Sequence, residues 1–249
     1  MLADIARLYK ETRKPAEHYW TKYVSRPFAA AFVHLIKGTG ISPNQVTLLA
    51  FFTSLVGAAV MVGWQTWPGL LVAIGAYQLA YILDCADGML ARELKISSKL
   101  GHLLDFLLDE IKAVVFLAAV SVRLHLIHDD PMYSIVGVGG VALMAAGLSL
   151  TTFTRRVEYT GEAQAVTEGP SEAEMPQRKS PLRRALGLVE WCAKQLINYP
   201  TYVVYLALFD LIEVYFWAII GIYLLYTART FLQVAVKMGR FIPLEDKGS

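Results

Sequence analysis

The chain has 249 residues, of which 55% are hydrophobic and only 18% are charged. Its mean hydropathy of +0.44 lies above the usual range of soluble globular proteins. The apolar residues also form long runs that nearly exclude charge, a pattern that a bilayer selects because a charge near its centre costs at least about 2.5 kcal/mol. These features exclude an ordinary soluble domain, and we expect a lipid bilayer and no nucleic acid as the partner. The net charge of +2 is uninformative in itself.

Residues 1–45 are predicted to form a cytoplasmic or interfacial amphipathic segment. The segment carries seven basic residues, interleaved with aromatic residues such as Tyr19 and Trp20. Between Arg26 and Lys37 the apolar positions recur at helical spacing, which predicts an amphipathic helix lying on the membrane surface. The alternative is a helix that packs on the protein's own surface.

Residues 46–240 are predicted to form a membrane domain of six transmembrane helices. A span needs roughly 20 apolar residues to cross a hydrocarbon core of about 30 Å. The first four spans are Val46 to Gly63, Pro68 to about Ala91, about Leu103 to Leu126, and Tyr133 to Phe153. The apolar region from Leu196 to about Val234 is long enough for two more spans, with Asp210 and Glu213 in the turn between them.

The stretch at about residues 157–181 interrupts the apolar pattern. It is rich in Gly, Pro, Glu and Ser, cannot bury a core, and is predicted to be a mobile cytoplasmic loop. Apolar positions between 182 and 197 then indicate a second interfacial helix. Residues 241–249 are predicted to be a C-terminal tail.

Charge placement supports an even number of spans. With six spans and a cytoplasmic N-terminus, all 23 Lys and Arg residues except Lys112 and Arg123 lie on the cytoplasmic side. Five spans would place the basic C-terminus outside, against the positive-inside rule. We therefore expect a multi-pass membrane protein with both termini in the cytoplasm, and we expect Arg123, near the outer end of the third span, to be solvated.

Four aspartates stand where hydrocarbon-facing residues are expected. Asp84 and Asp87 lie near the end of the second span, three residues apart, and Asp105 and Asp109 lie near the start of the third, four residues apart. Each pair therefore shares one helix face. The loop 93–100 is short, so the two helices are antiparallel neighbours and both acidic faces are predicted to line one cleft near the cytoplasmic surface.

The residue types on these two faces indicate a metal site. Gly88, Ala91 and Gly101 are small, so a helix or a ligand can approach closely. Converging carboxylates favour Mg²⁺, Mn²⁺ or Ca²⁺ over zinc, and two divalent ions would balance four acids. A two-metal site suits phosphoryl chemistry. A divalent cation transporter is the alternative from another class, but it leaves the glycine, alanine and arginine positions without an explanation.

The full pattern is Asp84-x2-Asp87-Gly88-x2-Ala91-Arg92-x8-Gly101-x3-Asp105-x3-Asp109. It resembles the signature of the CDP-alcohol phosphotransferase (CDP-alcohol phosphatidyltransferase) family, class I, at every position and gap. The upstream Pro43-Asn44-x2-Thr47 also resembles the family, as do six spans and an amphipathic N-terminal segment.

The resemblance implies roles for individual residues. The four aspartates would hold Mg²⁺ or Mn²⁺, as two ions that grip the donor's diphosphate, and Asp109 would be the general base for the acceptor hydroxyl. Cytidine and diphosphate would lie against a set of small, polar and basic residues: Gly88, Ala91, Arg92, Gly101, Asn44 and Thr47. His102 and Cys85 are off the acidic stripe and are predicted to be structural. The resemblance also implies a homodimer.

Three basic residues are candidates for binding the acceptor. Lys112 lies three residues after Asp109 and would bind a substrate phosphate or neutralise an aspartate. Arg155 and Arg156 end the fourth span and would bind an acceptor phosphate or serve as ordinary cytoplasmic anchors.

The resemblance implies that a CDP-linked donor reacts with an alcohol and releases CMP. We favour CDP-diacylglycerol as donor and a small polar alcohol as acceptor, which yields a phospholipid. The alternative is a CDP-choline or CDP-ethanolamine donor with diacylglycerol as acceptor. The active cleft is expected to open toward the cytoplasm and sideways to the lipid bilayer, where a soluble and a lipid substrate meet.

Overall fold

A computed structural model describes residues 2–12, 19–96, 98–156 and 199–238, and this part of the chain is helical with no strand. The expected all-α class is therefore confirmed. In chain order, with a π-helical turn at Thr21–Ser25, the helices are α1 Leu2–Glu11, α2 Arg26–Ile36, α3 Pro43–Gly63, α4 Trp67–Glu93, α5 Lys99–His128, α6 Met132–Thr154, α7 Tyr199–Leu208 and α8 Ile212–Met238.

Four of these helices are long and apolar enough to cross a bilayer, namely α3, α4, α6 and α8. The chain is accordingly a multi-pass membrane protein. Helix α5 has 30 residues, also more than one crossing needs, and its first half carries the predicted acidic pair. The total of six spans stays a prediction, since part of the chain lies outside the described residues.

The predicted division of the last apolar region coincides with a helix break. Helix α7 ends at Leu208 and α8 begins at Ile212, and between them Asp210 has a left-handed backbone with φ of 54°. Glu213 was expected in the turn but lies in the first turn of α8, where it accepts a hydrogen bond from the Tyr133 hydroxyl at 2.6 Å. The predicted loop at 157–181, the predicted helix at 182–197 and the tail at 241–249 lie outside the described residues.

The helices form two compact units. The first contains the described residues up to Gly137 and those from 199 to Phe216, and the second contains Val138 to 156 and Trp217 to Met238. Within the second unit, the Thr227 hydroxyl donates to the Leu143 carbonyl at 3.1 Å. The acidic pairs all belong to the first unit.

Helix α3 begins at a well-formed cap. The Ser42 hydroxyl accepts from the Gln45 amide and the Gln45 side chain accepts from the Ser42 amide, so two of the otherwise unpaired N–H groups at the helix start are satisfied. Pro43 occupies the first helical position, which suits its fixed φ. This cap places Asn44 and Thr47 in the first turns of α3.

The N-terminal segment folds into more structure than the sequence pattern predicts. Helix α1 inserts the fully buried Leu8 into an apolar cluster formed with α2 and the end of α4. Arg7 donates to both carboxylate oxygens of Glu93, at 2.6 and 3.3 Å. Asp4 is bound by Lys37, His34 and Arg7, and these hydrogen bonds hold its pKa well below the usual range.

Helix α2 has two apolar faces. The face containing Ala29, Ala30 and Val33 is buried against the protein, whereas Phe28 and Leu35 on the other face are 62% and 71% exposed. The alternative of a helix packing on the protein itself therefore holds for one face. Contact of the second face with the membrane surface stays a prediction.

Arg123 contradicts the expectation that it is solvated. It is only 1% exposed, and its guanidinium donates to the carbonyls of Met61, Trp64, Gln65 and Thr66 at 2.7 to 3.2 Å. The last carbonyls of a helix have no partner within that helix. The Arg123 guanidinium supplies hydrogen-bond donors to these carbonyls at the end of α3 and in the turn before α4. It therefore holds the C-terminal half of α5 against that turn.

We expect Arg123→Met to destabilise the protein by about 2–3 kcal/mol, because the substitution removes the donor from one buried and three partly buried carbonyls. Thermal unfolding of the detergent-solubilised protein measures the effect. Lys99→Met, which removes an exposed cation from the same helix, serves as the control and is expected to change stability by less than about 0.5 kcal/mol. Equal stability of the two variants would contradict the role given to Arg123.

Candidate active site

The end of α4 and the start of α5 bring three aspartates together. The two helices are joined by residues 94–98, and the Ser98 hydroxyl caps α5 by accepting from the Gly101 amide at 3.0 Å. Asp84, Asp105 and Asp109 each place one carboxylate oxygen within 4.8 Å of the others. Carboxylates this close repel one another unless a cation lies among them.

Asp87, the fourth aspartate of the pattern, is held separately by α3. It is buried, and it accepts a hydrogen bond of 2.6 Å from the hydroxyl of Thr47, which is buried as well. The same hydroxyl lies 3.1 Å from the Pro43 carbonyl in the preceding turn of α3. Thr47 therefore fixes the position of Asp87, and it links α3 to the acidic end of α4.

Lys112 supplies a positive charge inside the aspartate cluster. Its buried ammonium lies 2.5 Å from an Asp84 oxygen and 2.6 Å from an Asp109 oxygen. Of the two roles considered for Lys112, this arrangement favours the neutralisation of aspartates. Within the described residues, the Lys112 ammonium bonded to two of the three carboxylates leaves an excess of negative charge in the cluster. The donors are all hard oxygens of the kind that Mg²⁺ and Mn²⁺ prefer. The residues present therefore fit a divalent ion.

A cavity of about 400 Å³ opens beside the carboxylates. Its volume lies within the range of about 300–1,000 Å³ that small-molecule sites occupy. The six residues expected to contact the nucleotide all line it, together with three of the four aspartates: Asn44, Thr47, Gly88, Ala91, Arg92, Gly101, Asp84, Asp87 and Asp105. Asp109 belongs to the carboxylate cluster and does not line the cavity.

Gly101 lets the starts of α3 and α5 approach each other. A Cβ atom at this position would lie 3.3 Å from the Asn44 Oδ1 atom and 3.1 Å from the Ser98 Oγ atom. These distances are shorter than ordinary van der Waals contact, so a side chain at this position would have to displace the Asn44 and Ser98 side chains. The close approach puts Asn44 on the cavity wall beside the start of α5.

Several cavity residues were not anticipated from the sequence. His102, which was predicted to be structural, lines the cavity, because the start of α5 is open to it on more than the acidic face. Thr21 and Arg26 come from the N-terminal segment and Tyr81 from α4, and the Thr21 and Tyr81 hydroxyls are 2.7 Å apart. No spacing rule links Thr21 or Arg26 to the signature, since only the folded chain makes them neighbours.

Arg155 and Arg156 lie in the second unit, at the end of α6. Both are exposed, and Arg156 also lines an apolar cavity of about 930 Å³ formed by α6 and α8 within that unit. Their role in binding an acceptor stays a prediction.

Apolar helices around a cavity lined by carboxylates define a membrane protein with a site suited to metal and phosphate chemistry. The sequence model of the CDP-alcohol phosphatidyltransferase family matches residues 40–173, more than half of the chain, and the protein belongs to this family. Members of the family use CDP-linked donors and alcohol acceptors and depend on divalent cations.

Two archaeal proteins are similar to parts of the chain. A bifunctional IPC transferase and DIPP synthase of Thermococcus kodakarensis is 28% identical over 139 residues, which are 56% of this chain and 30% of that protein. An archaetidylinositol phosphate synthase of Pyrococcus horikoshii is 32% identical over 83 residues, which are 33% of this chain and 42% of that protein. The chain thus spans less than half the length of either relative.

We expect Lys112→Met to destabilise the metal-free protein and to increase its stabilisation by Mg²⁺. Without the ammonium, Asp84 and Asp109 repel each other, at a cost of about 2 kcal/mol or roughly 4–8 °C in the unfolding midpoint. A divalent ion then gains a site with no competing cation. Unfolding midpoints in EDTA and in excess Mg²⁺ measure both effects. A Mg²⁺ shift no larger than that of the unmodified protein would contradict this role for Lys112.

Proposed function

We propose that this chain transfers a phosphatidyl-type group from a lipid-linked CDP donor to the hydroxyl of a small polar alcohol and releases CMP. CDP-diacylglycerol or a related lipid is the favoured donor. The observation that carries the proposal is the cavity itself, since the signature residues around it come from three helices and face one space beside the carboxylate cluster.

The four aspartates are the proposed metal ligands. Asp84, Asp105 and Asp109 offer converging oxygens, and Asp87 is fixed close by through Thr47. Bound Mg²⁺ or Mn²⁺, as two ions, would neutralise the donor's diphosphate and stabilise charge on the departing phosphate. Lys112 keeps Asp84 and Asp109 in place when the ions are absent.

Asp109 is the proposed general base, which accepts the proton of the acceptor hydroxyl. Its side chain is 51% exposed, the most accessible of the carboxylates in the cluster, so an incoming alcohol can reach it. The acceptor oxygen forms a bond to the phosphorus next to the donor's lipid alcohol, and the bond from that phosphorus to the oxygen of the CMP phosphate breaks. The proton passes to the Asp109 carboxylate, and CMP leaves with the bonding electrons.

The membrane arrangement of the proposal follows the charge pattern. Six spans put both termini and the catalytic cavity on the cytoplasmic side. The stacked rings of Tyr19 and Tyr23, 6.3 Å apart, together with exposed Phe28 and Leu35, form an apolar surface suited to the lipid interface. Two copies of the chain are proposed to form a homodimer.

The choice of acceptor draws on the relatives. One of them is named as an archaetidylinositol phosphate synthase, so a phosphorylated inositol is the first acceptor to test. Arg155 and Arg156 are the proposed contacts for the acceptor phosphate. Glycerol phosphate, serine and free inositol complete the panel.

Incubation of the purified protein with Mg²⁺, CDP-diacylglycerol and each acceptor is expected to release CMP together with a new phospholipid. Liquid chromatography of nucleotides and mass spectrometry of lipids detect the two products. Excess EDTA should abolish both. If CMP forms only when CDP-choline and diacylglycerol replace these substrates, the acceptor and not the donor carries the lipid. Metal flux into proteoliposomes without any release of CMP would indicate a transporter.

We expect Asp109→Asn to lower kcat by at least about 100-fold while leaving donor binding nearly unchanged, because the amide cannot accept the hydroxyl proton. Glu110→Gln, which removes the neighbouring carboxylate outside the cluster, is the matched control and should retain activity. Steady-state CMP release and equilibrium binding of the donor provide the two measurements. Retained turnover in Asp109→Asn would show that the base lies elsewhere.

A further inference from the structure

One wall of the catalytic cavity comes from chain that precedes the family-matched stretch. Thr21 lies in the π-helical turn and Arg26 begins α2, and both line the same cavity as the signature residues. The hydrogen bond between the Thr21 and Tyr81 hydroxyls ties this wall to α4. The wall is thus a fixed part of the site, and Arg26 is its charged member.

The guanidinium of Arg26 is held in one place. The residue is 3% exposed, and its Nη1 atom donates to the Thr12 carbonyl at 2.7 Å, just after the end of α1. Helix α1 is itself anchored by buried Leu8 and by the contact between Arg7 and Glu93. A guanidinium has five N–H donors in a planar fork, so it can hold the Thr12 carbonyl and still donate to a second group.

The burial of Arg26 distinguishes it from an arginine that anchors a protein at the membrane surface. Arginines that act as cytoplasmic anchors keep their charge in water at the surface. Arg26 instead lies on a cavity wall, where an anionic ligand that enters the cavity meets a cation already in position.

The charges around the cavity divide into two sets. Asp84, Asp87 and Asp105 form an acidic side suited to metal ions, whereas Arg26 and Arg92 are cations on the lining. A nucleoside diphosphate needs both kinds of group, because metal ions bind some phosphate oxygens and charge-assisted N–H donors bind others. We propose that Arg26 is a phosphate-binding residue for the donor's diphosphate; this inference rests on the proposed function.

The number of phosphates on the ligand tests the assignment. Cytidine, CMP and CDP are titrated, with Mg²⁺ present, into the unmodified protein and into Arg26→Met, with isothermal calorimetry as the readout. In Arg26→Met we expect the affinity for CDP to fall at least about tenfold, which equals about 1.4 kcal/mol. The affinity for CMP should fall less, and the affinity for cytidine should not change. Arg26→Lys keeps the charge without the fork and should recover part of the loss.

Lys22→Met is the matched control, because Lys22 is a cation four residues earlier that lies over the Tyr23 ring and does not line the cavity. It should leave all three affinities unchanged. If Arg26→Met fails to fold, Arg26→Gln, which keeps an N–H donor, takes its place in the same titrations.

Two results would overturn the inference while leaving the proposed function intact. One is CDP binding to Arg26→Met as tight as to the unmodified protein, and the other is an equal loss for cytidine, CMP and CDP, which would assign Arg26 to the base or to general packing. Failure of the unmodified protein to bind any of the three ligands would instead contradict the proposed function itself.

Discussion

The end of α4 and the start of α5 are governed by the repulsion among closely spaced carboxylates. Charges attract and repel more strongly where water is scarce, so three aspartates within 4.8 Å require nearby positive charge. Lys112 provides part of that charge, and the Thr47 hydroxyl stabilises the fourth aspartate from another helix. The remaining negative charge suits the cluster to divalent cations, and the family's dependence on such ions agrees with this electrostatic requirement.

The convergence of the aspartates depends on helix ends that are fixed by local hydrogen bonds. The Ser42 cap sets the start of α3, and the Ser98 cap sets the start of α5. At the opposite end of α5, Arg123 holds the turn between α3 and α4. The three helices that carry the cavity are thus connected at both ends, which restricts sliding of α5 along its neighbours. Such sliding would change the distances among the carboxylates.

Patterns that repeat along the chain predicted much of this arrangement, whereas contacts between distant segments were not predictable. Helical spacing places each pair of aspartates on one face, and the short loop 93–100 makes the two helices neighbours. Arg123 lies near a predicted span end, where an arginine is normally solvated, and nothing local indicates that four carbonyls surround it. Helix α1 was missed for the same reason, because the docking of Leu8 depends on residues of α2 and α4.

The origin of the cavity wall from two parts of the chain has an evolutionary consequence. The family-matched stretch begins at residue 40, yet Thr21 and Arg26 reach the same space from upstream. Arg26 would stay constrained by the diphosphate in its proposed role, whereas other residues of the upstream segment lie outside the carboxylate cluster and can diverge while the reaction is preserved. Enzymes with identical signatures can therefore acquire different preferences through their leading segments, and sorting them by signature alone would group proteins whose natural ligands differ.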